Sequence, residues 1–78
     1  MAVLRLFGPA REAAGVARVE VAGCTVADVL RTAEARYGSA FSDIVGTSKI
    51  WINGEPAAAG AAVAEQDEVA VVPPVSGG

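Results

Sequence analysis

The chain has 78 residues, no histidine and a formal net charge of −3. That length supports one domain with a core able to fold alone but too small to enclose a substrate pocket, so the active site is expected on a partner. The basic residues Arg5, Arg11, Arg18, Arg31, Arg36 and Lys49 are scattered, which leaves no footprint for nucleic acid, and neither a secretory leader nor an apolar run near ~20 residues occurs.

In Val3-Leu4-Arg5-Leu6-Phe7 the alternation sets Leu4 and Leu6 on a core face and Val3, Arg5 and Phe7 on the other. Gly8-Pro9 stops this strand. Arg18-Val19-Glu20-Val21 alternates again and is predicted to pair with it antiparallel, as a hairpin with a long loop. Thr25 can cap a helix with Asp28 at its third position, and Val26, Val29, Leu30, Ala33 and Tyr37 follow helical spacing. Gly38 is placed to end it in a left-handed conformation. The stretch 39–48 is weakly determined, at most a short turn of helix around Phe41 and Ile44. Ile50-Trp51-Ile52 reads as a strand, and Asn53-Gly54 is the strongest hairpin signal in the chain. Residues 57–64 suit either state. Val69 to Val72 is apolar throughout, as expected of a central strand buried on most of both faces. The elements together predict an α+β β-grasp fold: a mixed sheet of four to five strands crossed by one main helix, with the last strand parallel to the first.

The end of the sequence carries the most information. Pro73-Pro74 cannot continue sheet pairing and favour an extended polyproline path, so residues 1–74 are expected to form the domain and 75–78 a flexible tail. At ~3.3 Å per residue, Val75, Ser76, Gly77 and Gly78 would reach about 13 Å from the body. Two glycines make a thin peptide able to enter a narrow channel and offer a terminal carbonyl carbon to another enzyme. A frayed end is the plainer explanation of the same residues.

Three segments decide between these readings: Phe7-Gly8-Pro9-Ala10-Arg11-Glu12, Asn53-Gly54-Glu55, and Asp67-Glu68-Val69-Ala70-Val71-Val72-Pro73-Pro74-Val75-Ser76-Gly77-Gly78. Together they resemble the MoaD/ThiS family of ubiquitin-like sulfur carriers, in particular the group of molybdopterin synthase small subunits. Gln66 departs from the pattern, since the family commonly has glycine there, which bears on the turn before the last strand.

The resemblance implies that Gly78 is activated by an adenylyltransferase of the ubiquitin-activating type, with ATP and magnesium used by that partner and no cofactor bound by this chain. A sulfur donor protein then converts the adenylate to a thiocarboxylate. The chemistry is sound, because a carboxylate repels nucleophiles whereas an acyl adenylate carries a good leaving group. The family delivers this sulfur to a pterin precursor in the large synthase subunit, within a heterotetramer of two small and two large subunits. The chain itself would be a carrier without an active site. A thiamine-pathway or cysteine-pathway carrier would use the same fold and glycine, and a protein modifier forming isopeptide bonds through Gly78 is a different class again.

Phe7 and Val72 are candidates for a docking patch, since interface cores favour aromatics, with ordinary packing as the alternative. Pro73, Pro74 and Arg11 join them as partner-binding candidates, although a salt bridge between Arg11 and Glu12 explains that pair equally. Glu65-Gln66-Asp67-Glu68 reads as a solvated turn, with steering towards a basic cleft as the alternative. Trp51 reads as hairpin packing, with a ligand platform as the alternative. Cys24 reads as an inert small residue, and one thiol without histidine predicts no metal site. A cytoplasmic location is expected.

Overall fold

Alternation decides the first strand. In the computed structural model, which describes residues 1–73, β1 (Ala2–Leu6) buries Leu4 and Leu6 completely and exposes Arg5 on the opposite side. β2 (Arg18–Val21) returns antiparallel to it, with Leu4 opposite Val19 and Arg5 opposite Arg18. The connection is a helix, α1 (Gly8–Ala14), and not the long loop expected. Gly8-Pro9 does stop the strand, but a proline in a first helical turn gives up only an N–H that has no partner there. Ala10 to Ala14 are all good helix formers.

α2 (Val26–Tyr37) begins as its sequence requires. The Thr25 hydroxyl accepts the Asp28 N–H at 3.2 Å, and the Asp28 carboxylate reaches back to the Cys24 N–H at 3.4 Å. Val26, Val29, Leu30 and Ala33 form its buried stripe. Gly38 ends the helix at φ 95° and ψ −172°, an extended positive-φ conformation in place of the left-handed one expected. The reason is that the chain must turn at once into another helix, α3 (Ser39–Thr47), whose N-cap is the same glycine. Phe41, Ile44 and Val45 make its inward stripe. Phe41 is fully buried, with its ring centroid 5.3 Å from that of Tyr37. Only three apolar anchors among serines and a glycine left this helix faint in the sequence.

β3 (Lys49–Ile52) and β4 (Glu55–Pro56) are joined by Asn53 and Gly54 at φ 48° and 85°, both positive as a type I′ turn demands. β5 (Glu68–Val72) completes a five-stranded sheet in the order β2-β1-β5-β3-β4, parallel to β1 and antiparallel to β3. The fold is therefore a β-grasp, with three helices where one main helix was expected. Core residues from all three helices cluster with Leu4, Leu6, Val69 and Val71 on one face of the sheet. This corrects the expectation for β5. Val69 and Val71 are fully buried, but Glu68, Ala70 and Val72 are half-buried, because the other face carries no helix. The alanine-rich segment before β5 is irregular and clamps the start of α2: Ala61 O accepts the Val26 N–H at 3.0 Å, and the Val63 N–H donates to Cys24 O at 2.8 Å. Among the described residues no helix is long and apolar enough to cross a membrane.

The departure at Gln66 has a structural cost. Gln66 adopts φ 71°, a conformation that a residue with a Cβ takes at a penalty of about 1 kcal/mol relative to glycine. Its side chain is exposed. Gln66→Gly is therefore expected to stabilise the domain by about 1 kcal/mol, raising Tm by roughly 5 °C in a calorimetric scan. An unchanged or lowered Tm would show that the turn gains more from the glutamine than its dihedral loses.

Candidate functional site: the exit of β5 and the open face of the sheet

The central strand leads to the tail. β1 and β5 run parallel with Leu6 opposite Val71, and the Phe7 N–H donates to Val71 O at 3.3 Å, so Phe7 and Val72 lie one rung beyond the last core pair. Phe7 is 41% exposed, and the Arg5 guanidinium carbon stands 5.7 Å from its ring centroid. Pro73 follows at once and is braced from below. A Cβ placed on Gly8, which has φ +55°, would come within 3.3 Å of the Pro73 ring. Glycine at this position thus lets the turn after β1 and the root of the tail lie against each other, fixing where the chain leaves the sheet.

Register assembles the rest of the face. Arg18, Arg5, Ala70, Trp51 and Pro56 form one cross-strand row through all five strands, and Lys49 lies opposite Val72 in the next row towards the tail. The core-facing neighbours Ile50 and Ile52 confirm that Lys49 and Trp51 face away from the helices. The face therefore mixes apolar and aromatic groups with charge of both signs: Arg18, Arg5 and Lys49 stand on it, and the row on the far side of Arg5 from the tail adds Glu20, Val3 and Glu68.

Phe7, Val72 and Pro73 are brought together as the sequence suggested. Arg11 stands exposed in the last turn of α1, and among the described residues neither it nor Glu12 forms an ion pair, so the salt-bridge alternative is not observed. Pro74, Val75, Ser76, Gly77 and Gly78 lie outside the described residues. Hairpin packing is the expectation for Trp51. Its place opposite Pro56 agrees with that, but it also belongs to the open face, as the alternation Lys49-Ile50-Trp51-Ile52 already signals.

The other end of β5 is a polar clasp. The Asp67 carboxylate accepts the Ala64 N–H at 2.9 Å and the Asn53 amide at 3.1 Å, while Asn53 Oδ1 accepts the Glu68 N–H at 2.9 Å. Asn53 thus ties the hairpin to β5 in addition to making the turn. Arg5 pairs with Glu68 at 3.4 Å, a half-exposed contact of small energetic weight. The acidic cluster is accordingly an organised turn. The backbone N–H of Ala64, then the Asn53 amide, hold the Asp67 carboxyl below its ordinary 3.8. A lowered folded-state pKa contributes stability that is present above 3.8 and lost as pH falls through the folded value. Asp67→Asn is expected to make the decline of stability in acid shallower below that pH in urea melts. An equally steep decline would show that Asp67 takes no part in it.

A sequence model described as the ThiS family matches residues 4–78. The chain belongs to the ThiS family. No curated protein matches it in sequence. Among solved structures, the ThiS-family chain is similar to SAMP1 of Haloferax volcanii, with 36% identity over 99% of this chain and 98% of that one at a TM-score of 0.80. It is similar to small archaeal modifier protein 1 of Methanosarcina acetivorans, with 28% identity, 99% and 95% coverage and a TM-score of 0.88. A Pyrococcus furiosus protein assigned as molybdopterin converting factor subunit 1 shows 25% identity, 95% and 97% coverage and a TM-score of 0.78. The chain is thus a ubiquitin-like protein of the group that contains sulfur carriers and modifiers.

Proposed function

We propose that this chain is a sulfur carrier that works through the carboxylate of Gly78, and that it serves as the small subunit of molybdopterin synthase. The observation that carries the proposal is the course of β5: the family match runs to Gly78, and the strand before it is locked in the middle of the sheet with its exit beside Phe7. A rigid root and a thin end are what delivery into another protein's channel needs.

In this reading a ubiquitin-activating-type adenylyltransferase, using ATP and magnesium, forms the Gly78 acyl adenylate with release of pyrophosphate. A hydrosulfide equivalent from a sulfur donor protein displaces AMP and leaves a thiocarboxylate. The chain's own part is mechanical. Phe7, Val72 and the flanking cations dock on the partner, Pro73 aims the tail, and the large subunit supplies the acid, base and pterin pocket, in a heterotetramer of two small and two large subunits. The likeness to molybdopterin converting factor subunit 1 and the Pro-Pro-Val-Ser-Gly-Gly ending support this branch over a thiamine or cysteine carrier. The test is single-turnover transfer from the thiocarboxylated chain to the large subunit loaded with pterin precursor. Dithiolene formation is expected; inert pterin with efficient transfer to a thiamine or cysteine precursor would move the chain to those branches.

The 36% identity to SAMP1 favours a second reading, that of a protein modifier. It predicts covalent conjugates of this chain on lysines of other host proteins, all lost when Gly78 is removed.

A further inference from the structure

The sheet has two edges, and they are unequal. β4 ends it on one side with two residues, one of them Pro56, which has no N–H to donate and offers no ladder to another strand. β2 ends it on the other with Arg18-Val19-Glu20-Val21, free of proline and glycine. The phase of its hydrogen bonds is fixed by β1. The Leu6 N–H donates to Ala17 O at 2.9 Å, in the same register that sets Leu4 opposite Val19 and Ala2 opposite Val21. Bonded and non-bonded pairs alternate in an antiparallel ladder, so Ala17, Val19 and Val21 turn their backbone groups towards β1. β1 agrees, because the N–H groups of Val3 and Phe7 go to its other neighbour, to Asp67 O and Val71 O. Arg18 and Glu20 therefore aim their backbone N–H and C=O groups outward, at the free edge.

Charged side chains on an edge strand usually keep other strands away. Here their signs invert about Val19. When β2 pairs antiparallel with β2 of a second copy, about a two-fold axis at Val19, Arg18 of each copy stands opposite Glu20 of the other and Val19 meets Val19. The backbone fits the same register: both Arg18–Glu20 pairs are of the hydrogen-bonded kind, and Val19–Val19 is of the close, non-bonded kind. Slipping the register by one residue sets outward groups against groups turned away, and slipping it by two sets Arg18 opposite Arg18 or Glu20 opposite Glu20. Both charges also lack a partner within the chain. Among the described residues neither forms an ion pair, and Arg18 lies opposite the like charge of Arg5 across β1. We infer that β2 is a self-association edge, where a second copy of this chain pairs about Val19 and joins two five-stranded sheets into one. The axis stands perpendicular to the sheet, so both open faces lie on the same side, with the β5 exits pointing opposite ways. Five strand spacings of about 4.8 Å, roughly 24 Å, separate the two β5 strands, which keeps each Phe7–Val72 end apart from the junction. The inference is independent of what Gly78 carries. A junction four residues long is small, so the association is weak and populated only where copies are concentrated.

The test is sedimentation velocity of the full chain from micromolar to millimolar concentration, in a Cys24→Ser background so that no disulfide can join the copies. A monomer–dimer equilibrium is expected, and amide resonances from Ala17 to Val21 should shift with concentration more than those of any other strand. Glu20→Arg and Arg18→Glu should each weaken the dimer at least about ten-fold, because each turns two attractive cross-strand pairs into two repulsive ones. The double reversal Arg18→Glu/Glu20→Arg should restore it to within about three-fold of the starting chain. Both side chains are exposed, so the fold is expected to survive all three changes, which thermal melts verify. A chain that stays monomeric at millimolar concentration, association that ignores the single reversals, a double reversal no better than either single one, or shifts centred on Phe7 and Trp51 of the open face would each overturn the inference.

Discussion

Removal of Gly78 is expected to abolish sulfur transfer completely while leaving thermal unfolding within about 1 °C of the intact chain. Among the described residues the core ends earlier: the buried ones lie between Ala2 and Val71, and the sheet pairing nearest the tail joins Val72 to Lys49. Deleting the terminal glycine, which has no side chain, is therefore expected to leave this core intact, whereas it replaces the acyl group the activating partner must position with one about 3.3 Å short. Positioning errors of that size remove most of the advantage of an oriented nucleophile. Transfer from the truncated chain at the normal rate would reject the carrier reading outright. Loss of both transfer and stability would show instead that the tail packs on the domain.

The second large effect is expected at Phe7. If this ring is the anchor of the docking face, Phe7→Ala should weaken the complex with the large subunit by about 2 kcal/mol, roughly thirty-fold in Kd. The fold itself should lose much less, because the ring is 41% exposed and follows the end of β1, with its backbone N–H still free to bond Val71 O in the alanine variant. Titration calorimetry of both proteins against the large subunit, paired with thermal melts, separates the two contributions. Unchanged affinity with a sharply lower Tm would assign Phe7 to packing and move the docking face elsewhere, with Trp51 and Lys49 as the next side chains to truncate.

How far the sequence could carry these conclusions depended on the length of each pattern. β1 and β2 alternate over four or five residues, β5 is an unbroken apolar run from Val69 to Val72, and α2 combines a capping threonine with four buried positions at helical spacing, so all were legible. The helix α1 was hidden because its Gly8-Pro9 start is also a strand stop, and its exposed Arg11 and Glu12 show no broad apolar stripe. α3 was faint because few apolar residues anchor it, chiefly Phe41, whose ring packs against Tyr37 at the end of α2. The site divided in the same way. Phe7 could be placed on the face opposite Leu4 and Leu6 from alternation alone, whereas Val72 needed the register of β5 against β1 and β3. The pairing of Lys49 with Val72 was not legible either, since it depends on the register of two strands separated by the alanine-rich segment and the Asp67 clasp. Gln66 was flagged by comparison with a family pattern, and its positive φ supplies the physical reason that glycine suits that turn.

The central claim is that Gly78 carries sulfur, and the intact mass of the chain purified from its native host tests it most directly. The account predicts a population in which one terminal oxygen has been replaced by sulfur, localised to Gly78 by fragmentation and lost on mild alkylation and hydrolysis. It also predicts that this population grows when transfer to the acceptor is blocked and disappears when the activating partner is removed. A chain whose Gly78 carries only oxygen under a blocked acceptor, with the activating partner and sulfur donor present, would contradict the account.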